Sequence, residues 1–331
     1  FFLGIKFNII VFDEAQIVKN IYSGRTEAAR KLNAQFKLCL TGTPLENHLG
    51  EYYSIIDLVL PGLLGGYKQF QRSVKVNNFD HLIRRTKAFV LRRTKDEILS
   101  ELPAKTESNI YLTLSDSQKE FYLRVVQETK KTVDDAFDRY NQSRARMIAL
   151  TALLRLRQIC LCPSLIDSKI EHVSPKITYL IERLKQLKLE GHSALVFSQF
   201  RSFLNIVEYY FKKENLSYYR MDGQTPTKQR EFIINSFQNE PEANIFLISL
   251  KTGGYGLNLT KASYVFLLDP WWNPSVENQA SDRVHRIGQD QKVFVVRLIM
   301  HHTVEEKMMH LKQKKLDLFK YVLDKGVTKS S

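Results

Sequence analysis

Phe7-Asn8-Ile9-Ile10-Val11-Phe12-Asp13-Glu14-Ala15-Gln16 is a short apolar run that ends in two adjacent carboxylates. A run of this length, rich in aliphatic and aromatic side chains, reads as a buried strand of a parallel sheet. Ligands of open parallel sheets lie beyond the carboxyl ends of the strands, so Asp13 and Glu14 would emerge where a nucleotide binds. Asp13 would hold Mg²⁺ through water, Glu14 would polarise a hydrolytic water, and Gln16 could relay the state of the γ-phosphate to neighbouring loops. The tetrapeptide alone reads equally well as a solvated acidic turn.

The same pattern recurs downstream. Phe36–Leu40 is a second short buried-type strand, followed at once by Thr41-Gly42-Thr43-Pro44. Beyond residue 174, strand-like runs at Ala194–Phe197, Tyr218–Met221, Ile245–Ile248, Tyr264–Leu268 and Val293–Ile299 alternate with helical patterns. Ser174-Pro175 supplies an N-cap with proline at the first helical position, and Ile177, Leu180, Ile181, Leu184 and Leu187 form one stripe ending at Gly191. Between the two alternating segments, Phe121, Val125, Ile148, Leu150, Leu153, Leu154, Leu156 and Ile159 recur at helical spacings. Strands alternating with helices predict an α/β protein with parallel sheets. The expected domains are residues 1–110, a helical insertion at 111–173, a second α/β unit at 174–300, and a C-terminal helix at 301–331. That last helix opens on a capping box, Thr303-Val304-Glu305-Glu306, and runs through Leu323.

Composition narrows the partner. The 331 residues carry 49 Lys+Arg against 35 Asp+Glu, a net charge of +14, which is the electrostatic footprint of a polyanion binder. Arg84-Arg85-Thr86-Lys87 and Arg92-Arg93-Thr94-Lys95 add two basic clusters, although a charge run is usually a solvated face. Cys39, Cys160 and Cys162 fit neither a disulfide framework nor a zinc site. No apolar stretch reaches about 18 residues, so no membrane span is expected.

Four further stretches carry chemistry. Lys251-Thr252-Gly253-Gly254-Tyr255-Gly256-Leu257-Asn258 follows a strand, and its glycines Gly254 and Gly256 would let main-chain N–H groups face phosphate oxygens, with Lys251 and Asn258 as side-chain donors. Asp269-Pro270-Trp271-Trp272-Asn273-Pro274 holds both tryptophans, which suit either core packing or contact with a sugar-phosphate backbone. In Gln279-Ala280-Ser281-Asp282-Arg283-Val284-His285-Arg286-Ile287-Gly288-Gln289, the spacing of Arg283 and Arg286 would place both guanidiniums on one helix face, suited to charge on a transferring phosphoryl group. An exposed basic helix is the alternative, and His285 is expected to be a structural hydrogen bonder rather than a base. Finally, no Gly-x-x-x-x-Gly-Lys-Ser/Thr occurs, so the loop that cradles phosphates is not in these 331 residues.

In their order these motifs resemble the Swi/Snf family of DNA-translocating ATPases of helicase superfamily two. Asp13-Glu14-Ala15-Gln16 resembles motif II, and Leu40-Thr41-Gly42-Thr43-Pro44-Leu45-Glu46-Asn47 resembles motif III. Leu91–Lys95 and Leu102–Lys105 resemble the junction after the first lobe, and Leu195–Phe200 resembles motif IV. Tyr219-Arg220-Met221-Asp222-Gly223 resembles the segment after it, the glycine-rich loop resembles motif V, and Gln279–Gln289 resembles motif VI. The resemblance implies two RecA-like lobes, the first N-terminally incomplete, with a helical insertion, closing on ATP and Mg²⁺ and walking on double-stranded DNA to remodel DNA-bound protein. It implies Asp13 and Glu14 as metal and catalytic residues, Arg283 and Arg286 as arginine fingers, and Gln16, Gly254, Gly256 and Gln279 at the nucleotide. It places Arg220, Asp222, Gly223, Lys251, Asn258, Trp272 and Asn273 along the DNA, and makes the helix after Thr303 a brace. A monomeric motor is expected, in the nucleoid or cytoplasm of a bacterium or the nucleus of a eukaryote. Two departures stand out: Lys251 replaces a usual arginine, and Cys160-Leu161-Cys162-Pro163 replaces a usual Cys-Asn-His-Pro. Without the phosphate loop these residues alone are expected not to hydrolyse ATP. A non-catalytic DNA- or partner-binding module and an RNA helicase of the same superfamily are the competing readings.

Overall fold

The computed structural model describes residues 2–42, 49–75, 84–91, 102–170, 173–242, 244–250, 252, 258–271 and 273–313. The chain forms two compact units, one made chiefly of residues 1–100 and the other chiefly of 101–312.

In the first unit, strands β1 (Lys6–Phe12) and β2 (Asn33–Cys39) pair in parallel, Lys6 opposite Asn33 and Phe12 opposite Cys39. Between them runs a helix, Gly24–Lys31, whose N-cap Ser23 accepts from Thr26 N–H. Helices Leu49–Val59 and Tyr67–Lys75 close a small aromatic core of Tyr53, Ile56, Leu64 and Phe70. The expectation of buried strands fails here. Ile9, Val11, Phe36 and Leu38 are exposed, because among the described residues this sheet has two strands and helices do not cover all of it.

The second unit carries a six-stranded, all-parallel sheet in the order β3-β8-β7-β4-β6-β5. These are β3 (Lys105–Leu112), β4 (Ala194–Ser198), β5 (Tyr218–Met221), β6 (Ile245–Ser249), β7 (Tyr264–Leu267) and β8 (Val293–Met300). Strands β4, β6 and β7 are buried at every position, as parallel strands covered on both faces must be. One face packs under helices Pro175–Leu189 and Arg201–Lys213 through Leu180, Leu184, Phe203, Val207 and Phe211. Phe237, Phe246 and Val284 fill the other face.

One boundary differs from the sequence reading. Residues 105–110, expected at the end of the first lobe, belong to β3, which pairs along its whole length with β8. Two long helices, Asp116–Arg139 and Gln142–Leu161, occupy the expected helical stretch, but their apolar residues Phe121, Val125 and Ile159 pack with Met300 and Val304 into a third core of the same unit. The C-terminal helix is described for residues 304–313 only, so its expected course to Leu323 lies outside the described residues. Its capping box is rearranged. Thr303 Oγ1 caps Glu305 N–H at 3.2 Å, while Glu306 accepts from His302 N–H at 2.8 Å, one residue before the cap.

Ser174 caps the helix Pro175–Leu189 as expected, and Gly191 follows it at φ +75°, a conformation that suits glycine. All three cysteines are free thiols. Among the described residues no helix is long and apolar enough to cross a membrane.

Candidate functional site

At the end of β1 the chain turns sharply. Glu14 sits at φ 49°, ψ 48°, and its N–H donates to Asp13 Oδ1 at 2.8 Å. This left-handed turn brings Ala15 N–H onto Leu40 C=O at 2.9 Å, tying the carboxylates to the end of β2. Gln16 then bridges the two strand ends: its Nε2 donates to Glu14 Oε2 at 2.5 Å, and its Oε1 accepts from Thr41 Oγ1 at 2.6 Å. Asp13 and Glu14 themselves are exposed. The expected motif II side chains are therefore assembled, with Gln16 linking the carboxylate to the threonine of motif III. Thr43 through Asn47, the rest of motif III, lie outside the described residues.

In the second unit, the segment after β5 folds around Asp222. Arg220 donates to Asp222 Oδ2 at 2.9 Å and to Asn205 Oδ1 at 2.7 Å, and also bonds Glu208. Arg201 Nε lies 3.2 Å from the same Asp222 oxygen, and Gln224 N–H donates to Oδ1 at 2.9 Å. Burial works against the charged form, but Gln224 N–H, Arg220 and Arg201 outweigh it and hold the Asp222 carboxyl below the ordinary range. Arg220 is thus engaged by acidic and amide partners, while Gly223 is exposed. Asn258 is exposed too, with its carbonyl 3.4 Å from Gln238 Nε2. Lys251, Gly254, Gly256 and Trp272 lie outside the described residues.

Motif VI departs from its expected helix. The helix Pro274–Ser281, which carries Gln279, stops before the arginines, and residues 282–288 form successive tight turns. Val284 and His285 N–H both reach back to Ser281 C=O, and Gly288 adopts φ +95°. Arg283 and Arg286 therefore do not share a helix face. Arg283 is buried and Arg286 half-buried. Two side chains fasten this turn. Gln289 Nε2 donates to Ala262 O at 2.9 Å and Thr260 O at 3.0 Å. His285 Nε2 lies 2.8 Å from Pro103 O; a carbonyl only accepts, so Nε2 carries the proton. His285 is the structural hydrogen bonder that was expected.

Several residues to which the sequence reading gave no anchoring role are buried polar anchors. Asp269 accepts from Ser198 Oγ at 2.6 Å, Arg157 donates to Pro270 O at 2.8 Å, and Glu277 accepts from Trp271 N–H at 2.8 Å. Lys176 is fully buried against Glu305 at 2.7 Å. A lysine in the first turn of a helix opposes the macrodipole, and that misfit was the available signal. Asn273, directly before the helix Pro274–Ser281, is buried.

The architecture defines the class: parallel sheets flanked by helices, of RecA-like type, with the candidate side chains at strand ends. Residues 2–165 match the SNF2-related domain, and residues 175–288 match the helicase conserved C-terminal domain. A Sulfolobus solfataricus SWI2/SNF2 ATPase core, solved in complex with dsDNA, is 33% identical with a TM-score of 0.57, over 97% of this chain and 69% of that one. An ATP-dependent helicase of Mycoplasma pneumoniae is 36% identical over 97% of this chain and 31% of its own length. The human SWI/SNF-related matrix-associated actin-dependent regulator of chromatin subfamily A member 1 is 36% identical over 96% of this chain and 32% of its own length. The chain belongs to the Swi/Snf family of helicase superfamily two, and it spans about a third of these two relatives.

Proposed function

We propose that this chain is the C-terminal portion of an ATP-driven motor that translocates on double-stranded DNA and remodels DNA-bound protein, working as a monomer in the compartment that holds the DNA. The observation that carries this reading is the hydrogen-bonded line from Glu14 through Gln16 to Thr41, with Asp13 beside it, at the carboxyl ends of β1 and β2. Two exposed carboxylates side by side are a hard-oxygen donor set that fits Mg²⁺, with Asp13 and Glu14 as the residues that would hold it. When bound, the ion supplies charge neutralisation at the phosphates.

Glu14 orients and deprotonates the attacking water, and Gln16 fixes the Glu14 carboxylate while sensing Thr41. Arg283 and Arg286 take up charge on the transferring phosphoryl group. In this reading Asp222, Gly223, Lys251, Asn258, Trp272 and Asn273 serve the DNA backbone contact, and Arg220 acts there by orienting Asp222. Support for duplex DNA comes from the net charge of +14 and from the Sulfolobus core solved with dsDNA. The 331 residues contain no Gly-x-x-x-x-Gly-Lys-Ser/Thr, and by themselves they do not turn ATP over in this reading.

The test is ATP hydrolysis by the full-length protein with blunt duplex DNA and with RNA. Stimulation by blunt duplex DNA is expected. Stimulation by RNA alone would move the protein to the RNA helicases, and binding of duplex without hydrolysis would make it a non-catalytic module.

A further inference from the structure

Four consecutive residues after β7 are each held by a buried polar group. Leu268 O accepts from Lys176 Nζ at 2.6 Å, Asp269 from Ser198 Oγ at 2.6 Å, Pro270 O from Arg157 Nη2 at 2.8 Å, and Trp271 N–H donates to Glu277 Oε1 at 2.8 Å. This segment leads directly into Trp272 and Asn273. Two of its four holders are in turn gripped by the C-terminal helix, residues 304–313. Glu305, in the first turn, binds Lys176 Nζ with both oxygens, at 2.9 and 2.7 Å, and accepts Met300 N–H at 2.9 Å. Lys312, near the end of the described helix, bonds Glu277 Oε2, which also accepts from Arg297 Nε at 2.9 Å.

Lys176 and Glu305 are completely buried, and Glu277 nearly so. Buried ion pairs are poor sources of stability, since apolar side chains of like volume serve as well or better. What apolar packing cannot do is fix the direction of individual backbone carbonyls and N–H groups. Here the charges end on Leu268 O and Trp271 N–H.

We propose that the C-terminal helix is a positioning element for the segment Leu268–Trp271, which leads into Trp272 and Asn273, acting through Lys176–Glu305 at one end and Lys312–Glu277 at the other, and that its grip sets the affinity for duplex DNA. The second half of this statement rests on the DNA reading of Trp272 and Asn273 given above. The first half does not.

Trp271 lies in this segment and Trp272, the chain's other tryptophan, follows it directly, so tryptophan emission, excited selectively over the 15 tyrosines, reports on this stretch alone. Lys312→Met removes the ammonium but keeps the apolar stem, and it leaves Glu277 paired with Arg297. The expected result is unchanged far-ultraviolet circular dichroism, easier acrylamide quenching of tryptophan emission, and affinity for blunt duplex DNA lowered by roughly five- to a hundredfold, the usual span of coupling between sites. Lys312→Arg should restore most of the quenching protection. Should Lys312→Met fail to fold, the double variant Lys176→Met/Glu305→Leu removes both charges of the other pair together and leaves neither orphaned.

Quenching and affinity at wild-type values in a folded variant would overturn the proposal. So would loss of both only in parallel with helix content, the behaviour of residues that merely hold the fold. A wild-type chain that ignores blunt duplex DNA would remove the DNA reading, while the quenching comparison still decides whether the helix positions the segment.

Discussion

Glu14 is held in the left-handed region, φ 49° and ψ 48°, where a non-glycine residue carries strain of roughly 1–3 kcal/mol. Its carboxylate is at the same time fixed by Gln16, so the turn spends stability on aiming one oxygen-bearing side chain. Replacing Glu14 by Gln preserves the size of that side chain and removes its basicity. The full-length Glu14→Gln protein should bind nucleotide normally and lose turnover by about 100-fold or more, the contribution of a general base; a nucleotide-binding titration beside a single-turnover assay checks this, and normal turnover would remove Glu14 from the mechanism. A second residue-level prediction concerns Glu107 on β3, which joins Arg297 of β8 at 2.8 Å and Lys105 at 2.7 Å. Burial raises the carboxyl pKa, but the hydrogen bonds and charges of Lys105 and Arg297 overcome this and hold it at about 2. A depressed folded pKa means that the stabilisation is complete above the unfolded value, near 4.3, and is lost as pH falls toward 2. Glu107→Gln should therefore be less stable than the wild type at neutral pH and show a flatter loss of stability between about pH 5 and 2, measured by urea unfolding across that range.

At the scale of elements, five of the six strands of the second unit, β4 to β8, and the helix capped by Ser174 were plain in the sequence because each rests on local signals, whereas β3, Lys105–Leu112, went unread. Uninterrupted apolar runs, a Ser-Pro start and a glycine stop need no knowledge of distant residues. The 282–289 turn was misread for the opposite reason. Arg283 and Arg286 have helical spacing, but the helix ends at Ser281 because distant groups hold the chain otherwise: Gln289 on Thr260 and Ala262, and His285 on Pro103, 182 residues away. The Lys176–Glu305 pair, 129 residues apart, was hidden in the same way. The exposed sheet of the first unit escaped because an apolar run reports what a strand can bury, not what covers it. At the candidate site, Glu14, Gln16 and Thr41 were legible because short strand-end motifs carry them, whereas the bonds among them depend on the pairing of β1 with β2. If Gln289 fastens the turn, Gln289→Ala leaves buried carbonyls without a donor, at a cost of about 1–3 kcal/mol. The melting temperature should fall by several degrees, and turnover of the full-length protein should fall further than its affinity for DNA, because the displaced element carries Arg283 and Arg286. Equal losses in both would place those arginines on the DNA backbone instead.

For the whole molecule, charge and topology make a joint demand. The all-parallel sheet of the second unit sets the ends of β4, β5, β6 and β7 along one edge, and the segments after them hold Asp222, Gly223, Asn258 and the 268–271 run. In the proposed reading the protein is a motor that moves along DNA, and such a motor must ignore sequence. Its affinity then comes from phosphates, for which a net charge of +14 is the long-range attraction. Binding of blunt duplex DNA should fall linearly on a log-log plot against salt, losing about 10³-fold or more between 50 and 200 mM if six or more phosphates are engaged. Duplexes of different sequence should fall on one line. Arg283→Ala should leave the slope unchanged, since in this reading its guanidinium answers to the nucleotide, whereas Lys251→Ala should make the slope shallower by nearly one. Fluorescence anisotropy with labelled duplexes over a salt series measures all three. A flat salt dependence would show that the positive charge is a solvated surface without a polyanion partner, and a slope altered by Arg283→Ala would move that residue from the phosphoryl group to the DNA.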